Sequence, residues 1–281
     1  MKTVALADGE RVPVLGQGTW RMGEKKKMHK EEVAALRLGI DLGMTLIDTA
    51  EMYGEGGAEK VVADAIKGQR DRVFVVSKVY PHNASRAELP KACEHSLKRL
   101  RVDAIDLYLL HWRDRTTRLE ETLETFEELR NAGKIRRWGV SNFDVDDMTE
   151  LWAIERGTNC AANQVLYNLE HRQIEFALLP LVQGSTLSPI VMAYSPVGHG
   201  RGLLENAALQ KIAKRHQATT AQIALAWVIR RPGVMAIPKA SNENHVRENA
   251  QSIKIKLTNE DLADLDGEFP APGSKKSLPV L

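Results

Sequence analysis

Short β-branched and aliphatic runs alternate with longer stretches of helical period along almost the whole chain. The strand-like runs are "VLGQGTW" (14–20), "TLIDTA" (45–50), "RVFVVSKV" (72–79), "AIDLYLLHW" (104–112), "KIRRWGVSN" (134–142), "CAANQVLYN" (160–168), "PIVMAYSP" (189–196) and "GVMAIPKA" (233–240). Between them lie amphipathic stretches such as "KEEVAALRLGIDLG", "LEETLETFEELRNAG" and "TAQIALAWVIRRPG". Strand followed by helix, eight times over, predicts a parallel sheet. The first residues, "MKTVALADGERVPVLG", alternate and turn as a hairpin does. No Pro/Ser-rich linker interrupts the series, so one domain over residues 1–281 is expected. Eight β/α units in a chain of 281 residues fit a (β/α)8 TIM barrel with an N-terminal β-hairpin. A doubly wound open sheet is the alternative, and it carries a glycine-rich phosphate turn after its first strand. That position reads "GQGTWRMG", with arginine where the third glycine belongs.

Composition narrows the function. The chain is 43% hydrophobic and 27% charged with a formal charge of +2, so apolar material suffices for a large core and nothing attracts nucleic acid or an acidic membrane in general. The densest basic run, "EKKKMHK" (24–30), lacks interleaved aromatics and reads as a solvated loop. Cys93 and Cys160, the two cysteines, have no metal-ligand spacing and imply a reducing compartment. The N-terminus has no apolar leader, and no run of about eighteen apolar residues occurs. A cytoplasmic protein is expected.

In a barrel of this class the chemistry stands at the C-terminal strand ends. The second strand ends at Asp48 with Tyr53 five positions later, the third at Lys78, and the fourth at His111. The fifth offers Ser141 and Asn142, the sixth Asn163 and Gln164, the seventh Tyr194 and Ser195, and the eighth Lys239. Taken singly, Asp48 could be a turn former, Lys78 a solvated end and His111 a satisfied core histidine. Yet "VVSKV" and "LYLLHW" set ionisable groups directly after apolar runs, and such groups are seldom buried without partners. One mouth brings the four together, with Asp48 neutralising Lys78. The lysine is expected to lower the pKa of the Tyr53 phenol from its ordinary value of about 10. A phenol so placed is an acid for a carbonyl oxygen that becomes alkoxide on hydride addition, with His111 hydrogen-bonded at the same oxygen. Side chains supply no hydride, so a cofactor is implied and a metal is not.

Seven ordered segments resemble the aldo-keto reductase family: "IDTAEMYGEGGAE", "VVSKV", "IDLYLLHW", "GVSNF", "NQVLYN", "AYSPVG" and "IPKASNENHVREN". The resemblance extends from the N-terminal hairpin to about Asn249. It implies a catalytic tetrad of Asp48, Tyr53, Lys78 and His111, with Tyr53 as proton donor. It implies NADPH as cofactor, with Ser141, Asn142 and Gln164 at the nicotinamide carboxamide and Tyr194 stacked on the ring. The segment "SPVGHGRGL", through Ser195, Pro196 and Gly198, resembles the pyrophosphate loop. Lys239, Ser241 and Asn242 align near the adenosine ribose and its 2′-phosphate, and Glu248 and Asn249 near the adenine. Gly18, Thr19, Trp20 and Asp48 complete the implied cofactor contacts. Two positions depart from the family pattern. Ala240 stands where serine is frequent, and His245 where an arginine often pairs with the 2′-phosphate, which narrows the expected margin of NADPH over NADH.

For the substrate, Trp20, Tyr53, His111 and Trp112 resemble the family's pocket walls, with Met22 as a further flexible one. The loop after the fourth strand and the tail after Glu268 are short, so an open pocket for small aldehydes is expected: 2-oxoaldehydes such as methylglyoxal, and short or aromatic aldehydes. Arg113 and Arg115 are expected to be solvated, the alternative being that they favour anionic carbonyl substrates. A monomer acting on a small aldehyde, with no nucleic-acid or membrane partner, follows. Two other readings use the same barrel. One is a cofactor-binding regulatory subunit resembling potassium-channel β-subunits. The other is a metal-dependent hydrolase built on Asp48 and His111, for which no ligand cluster is visible in the sequence.

Overall fold

The structure, a computed structural model, describes residues 1–184, 189–199 and 202–280. A two-stranded antiparallel ladder comes first, β1 (Thr3–Ala5) with β2 (Arg11–Pro13), in the register Thr3↔Pro13 and Ala5↔Arg11. From there strands and helices alternate: β3 (Gln17–Gly18), α1 (His29–Asp41), β4 (Leu46–Asp48), α2 (Gly57–Ile66), β5 (Phe74–Val79), α3 (Leu89–Leu100), β6 (Leu107–Leu110) and α4 (Leu119–Asn131). The series continues with β7 (Trp138–Ser141), α5 (Val145–Ala153), β8 (Ala162–Leu166), α6 (Leu178–Gly184), β9 (Ile190–Tyr194), α7 (Ala207–Arg215), α8 (Thr220–Val228), β10 (Val234–Ala236), α9 (Glu243–Gln251) and α10 (Asn259–Glu268).

Strands β3 to β10 form one parallel sheet in sequence order. Its two edges meet. Gly16 N donates to Ala236 O (2.8 Å), Gly18 N to Pro238 O (3.0 Å) and Ala236 N to Val14 O (2.9 Å), which closes a (β/α)8 barrel. The first barrel strand is shorter than the run 14–20 suggests. Only Gln17 and Gly18 pair with β4, because beyond Gly18 the chain turns back, Met22 N bonding Thr19 O. The helices are also less evenly distributed than one per strand. Both α7 and α8 follow β9, and α9 and α10 follow β10.

Strand alternation decides what fills the barrel and what stands at its mouth. Inward positions of the lower layers are apolar: Leu46 on β4, Phe74 and Val76 on β5, Leu107 and Leu109 on β6, Ile190 and Met192 on β9, and Met235 on β10. Leu6 and Val12 of the hairpin join this cluster and plug the N-terminal end. Arg137 fastens the plug, donating to Asp8 Oδ2 (2.6 Å) and Glu10 Oε2 (2.6 Å). Two residues further along each inward row stand Asp48, Lys78 and His111, so the same period that builds the core delivers the polar groups to the mouth. Outward rows pack against the helices in the second, larger apolar cluster, with Trp138, Tyr108, Phe126 and Trp227 fully buried. Cys93 and Cys160 are buried free thiols within it, and burial pushes both up to about 12. No helix among the described residues is long and apolar enough to cross a membrane.

Candidate active site

Lys78 is completely buried at the top of β5 and donates all three of its ammonium protons. The acceptors are Asp48 Oδ2 (2.8 Å), Thr49 O (2.8 Å) and the Tyr53 hydroxyl oxygen (3.2 Å). Asp48, only 2% exposed, takes a further bond at Oδ1 from Gln164 Nε2 (2.7 Å). The buried pair is therefore saturated, the condition under which charges persist away from water. Burial works against the Lys78 ammonium, but Asp48 and the Tyr53 oxygen outweigh it and hold its pKa above the ordinary lysine value.

The phenol behaves differently from the expectation drawn from its neighbours. Burial raises the Tyr53 pKa, Lys78 opposes this and Asp48 adds to it, and the net direction is upward. The lysine moderates the penalty of forming phenolate without reversing it. Desolvation acts on the whole phenolate, whereas the ammonium is partly cancelled by the carboxylate 2.8 Å from it. The phenol thus keeps its proton at neutral pH. Because its oxygen accepts from Lys78, that proton is directed elsewhere, towards the open mouth.

The His111 ring lies edge-on to Tyr53, with centroids 5.8 Å apart at 76°. Its backbone N donates to Val79 O (3.1 Å), continuing the β5–β6 ladder and fixing the residue at the rim. Burial, with a smaller contribution from Lys78, pushes the imidazole down to about 2. Burial thus favours a neutral imidazole near neutral pH, a group suited to hydrogen bonding. Its Nδ1 is buried without a hydrogen-bond partner.

A second polar group lines the adjacent part of the rim. Ser141 and Gln164 face each other across β7 and β8, and Ser141 Oγ donates to Gln164 O (2.8 Å). Asn142 follows in the left-handed region at φ 61°, and its Oδ1 accepts from the Tyr194 hydroxyl (3.0 Å), which holds the Tyr194 ring across β8. Ser195 is left-handed as well, at φ 47°, and Asn168 Nδ2 donates to its carbonyl (2.9 Å). Asn142 and Ser195 thus hold the sparsely allowed left-handed conformation at two strand ends of one rim. Gly18 and Thr19 complete the rim, Thr19 N and Oγ1 both donating to Asp48 O (3.0 Å each). Pro196 is buried and Gly198 is left-handed at φ 83°, while Gly200 and Arg201 of the same loop lie outside the described residues.

Further out, exposed Lys239 donates to Ser241 Oγ (3.2 Å), and Asn242 caps α9 through Asn244 N (2.8 Å). His245, Glu248 and Asn249 share one face of α9 by helical spacing. Trp20 is exposed at the mouth, tilted against His199 at 5.3 Å and covered by the Arg21 guanidinium at 4.3 Å. Trp112 packs between His111 (4.9 Å) and the edge of Tyr80 (5.9 Å).

One expectation for the substrate walls fails, and the alternative reading of Arg113 finds no support. Met22 is fully buried in the core, because the turn at Thr19 carries it inward. Arg113 is committed in a bidentate fork to Glu150 (2.7 Å for each arm) and also reaches Asp147 (3.2 Å), which leaves little charge for an anionic substrate. The structure also reveals roles the sequence concealed. Gln164 orients the Asp48 carboxylate, Thr49 accepts from Lys78 through its backbone, and Asn163 turns away from the mouth to donate to Phe143 O (2.8 Å). A backbone acceptor leaves no residue-type signal, so Thr49 was not legible beforehand. Among the described residues no group of three or more His, Cys, Asp or Glu side chains is arranged to hold a metal ion.

Known proteins resemble this chain in sequence and fold. The chain is 52% identical to methylglyoxal reductase YeaE of Escherichia coli over 100% of its own length and 99% of that protein's. It is 33% identical to glyoxal reductase of Bacillus subtilis, covering 94% of this chain and 91% of the other. It superposes on the crystal structure of an aldo-keto reductase from Klebsiella pneumoniae in complex with NADPH with a TM-score of 0.96, at 51% identity, over 100% of this chain and 99% of that one. A model of the aldo/keto reductase family matches residues 14–268, which span every barrel strand and the buried Asp48–Lys78 pair. By sequence and by fold, the chain belongs to the aldo/keto reductase family.

Proposed function

We propose that this protein is an NADPH-dependent reductase of small aldehydes, with 2-oxoaldehydes such as methylglyoxal and short or aromatic aldehydes as its substrate class. One observation carries the proposal. The Tyr53 oxygen accepts a hydrogen bond from a lysine that is itself locked to Asp48, so the phenol is protonated, oriented and stabilised as it loses its proton. The cofactor fits the rim on this chain's own geometry. Ser141, Asn142 and Gln164 offer a hydroxyl and two amides for a carboxamide, the Tyr194 ring is held by Asn142, and Lys239 with Ser241 stands further out for a phosphate. When bound, the nicotinamide supplies hydride to the carbonyl carbon.

The remaining steps belong to side chains. A carbonyl oxygen in the mouth accepts one hydrogen bond from neutral His111 and one from Tyr53. As negative charge grows on that oxygen, the phenol proton moves to it, and Lys78 stabilises the phenolate left behind. The four groups come from one chain, so the proposed working unit is a monomer. The two buried free thiols favour the cytoplasm as its proposed location. The relatives at 52% and 33% identity are both reductases, which favours turnover over the regulatory-subunit alternative.

The test is Tyr53→Phe assayed by NADPH consumption on methylglyoxal. Loss of the proton donor removes about 10²–10⁴-fold from kcat, while NADPH still binds and quenches protein fluorescence. Retention of the full rate in the phenylalanine variant refutes the assignment.

A further inference from the structure

Tyr53 is carried by residues 49–56, a turn segment between β4 and α2 that belongs to no helix or strand. Its last three residues, Gly54, Glu55 and Gly56, have φ of 56°, 52° and 78°. Backbone bonds tie its start to β5 (Thr49 N to Val76 O, 2.9 Å; Glu51 N to Lys78 O, 3.3 Å) and turn it around Tyr53 (Tyr53 N to Ala50 O and Ala58 N to Tyr53 O, 3.1 Å each), while the side chains packed against it set how the phenol stands against Lys78. Two carboxylates bracket it. On one side, Glu51 Oε1 accepts from Tyr80 N (2.7 Å) and Asn83 Nδ2 (3.1 Å), which ties the segment to the loop after β5. On the other, Glu59 in the first turn of α2 is fully buried and accepts from Ser77 Oγ (2.6 Å) and Arg99 Nε (2.5 Å).

One guanidinium reaches both sides. Arg99, near the end of α3, bonds Glu59 through Nε and lies 4.0 Å from Glu51 Oε2 through Nη2, which also donates to Ser96 Oγ (3.1 Å). Its stem passes directly beneath the segment. A Cβ on Gly56 would fall 2.4 Å from Arg99 Cδ and 2.5 Å from Nε, so only glycine allows the backbone to rest on this side chain. The far side is closed in the same way, a Cβ on Gly57 falling 2.7 Å from Gly23 O.

We propose that Arg99, bonded to Glu59 and facing the Glu51 carboxylate at 4.0 Å, is a positioning residue that sets the Tyr53 phenol against Lys78. The proposal rests on the reading of Tyr53 as proton donor. A plain staple between α2 and α3 would need only the Glu59 contact. The second carboxylate and the glycine seated on the stem are what tie the arginine to the tyrosine's own segment.

The experiment compares Arg99→Met, Arg99→Lys and Glu51→Gln, each alone and with Tyr53→Phe. It measures kcat, KM, the pH profile of kcat and the NADPH Kd by fluorescence quenching. Misplacement of a reacting group by about 1 Å costs up to about 10²-fold, so Arg99→Met is expected to lower kcat by about 10–100-fold. The NADPH Kd stays within about twofold, since Arg99 touches none of the groups assigned to the cofactor, and Arg99→Lys, which keeps the charge but not the fork, restores part of the rate. A phenol drawn away from Lys78 also loses the charge that lowers its pKa, so the alkaline limb moves to higher pH. In the Tyr53→Phe background Arg99→Met causes no further loss, because the two act through one group.

A folded Arg99→Met protein with the parent kcat and pH profile overturns the proposal alone, as does an equal loss in both backgrounds. Full activity in Tyr53→Phe overturns the reading of Tyr53 and the proposal with it. Should Arg99→Met fail to fold, Glu51→Gln decides. Its amide still accepts from Tyr80 N and only the charge facing Arg99 is lost, for an expected fall in kcat of about two- to fivefold, so an unchanged kcat overturns the proposal.

Discussion

Replacing Lys78 by methionine removes the ammonium and keeps most of the side-chain volume. In the parent, Asp48 is held by two donors, Lys78 at 2.8 Å and Gln164 at 2.7 Å. Burial already raises its pKa, with Lys78 as the strongest opposing influence. Without the lysine the carboxylate is stranded in a site with almost no solvent exposure. Breaking a buried pair in this way costs about 3–5 kcal/mol, and the exposure figures of 0% and 3% for the two side chains leave no solvent screening to discount. For a chain of this size that is a fall of roughly 6–10 °C in Tm, at about 2 °C per kcal/mol.

The deficit carries a pH signature. A carboxyl whose folded pKa lies above its unfolded value binds more protons when folded. Stability is then retained at low pH and lost as pH rises from the unfolded value towards the folded one. The Lys78→Met protein should therefore be closest to the parent at the acid end of the range where both fold and fall further behind it as pH rises towards neutrality. Adding Asp48→Asn should recover much of the lost stability, because the stranded charge is gone, and none of the activity. The assay is thermal unfolding of parent, single and double variants across that pH range, with aldehyde reduction alongside. A deficit independent of pH, or a double variant less stable than the single one by the full cost of a second lesion, refutes a charged pair at the base of the site.

Other outcomes follow from the same geometry. Because the His111 pKa is pushed down to about 2, no histidine limb should appear in the kcat profile between about pH 5 and 8. A limb near 6.5 that vanishes in His111→Asn contradicts the neutral assignment. Lys239→Met should weaken NADPH binding about tenfold and leave NADH nearly unchanged, since a charge-assisted bond from an exposed lysine sits at the low end of about 1.5–3 kcal/mol. Equal losses for both nucleotides in fluorescence titrations mean that the 2′-phosphate is read elsewhere. Cys93 and Cys160, both buried and pushed up to about 12, should resist a thiol reagent until the protein unfolds, and prompt labelling of the native enzyme contradicts their burial.

The barrel and the identity of its central residues were legible in the chain because both follow from a period of two. Leu46 and Asp48, Val76 and Lys78, and Leu109 and His111 are each two apart, so one alternation sets the apolar layer and the polar mouth together. The resemblance to known reductases rested on those same strand ends. Other features were decided only when strands met. The direction of the Tyr53 pKa depends on the balance of burial against two opposite charges, and no list of neighbours supplies that balance. Met22 went elsewhere than expected because a turn at Thr19 carries it inward, and Arg113, left between solvent and substrate by the sequence, is held by the carboxylates of α5. Arg99 gave no signal at all, lying 46 residues beyond Tyr53 on a helix that reads as ordinary amphipathic surface. Periodicity reports which face a residue takes. Which charges share a desolvated space is a property of distance between segments, and only the closed barrel defines it.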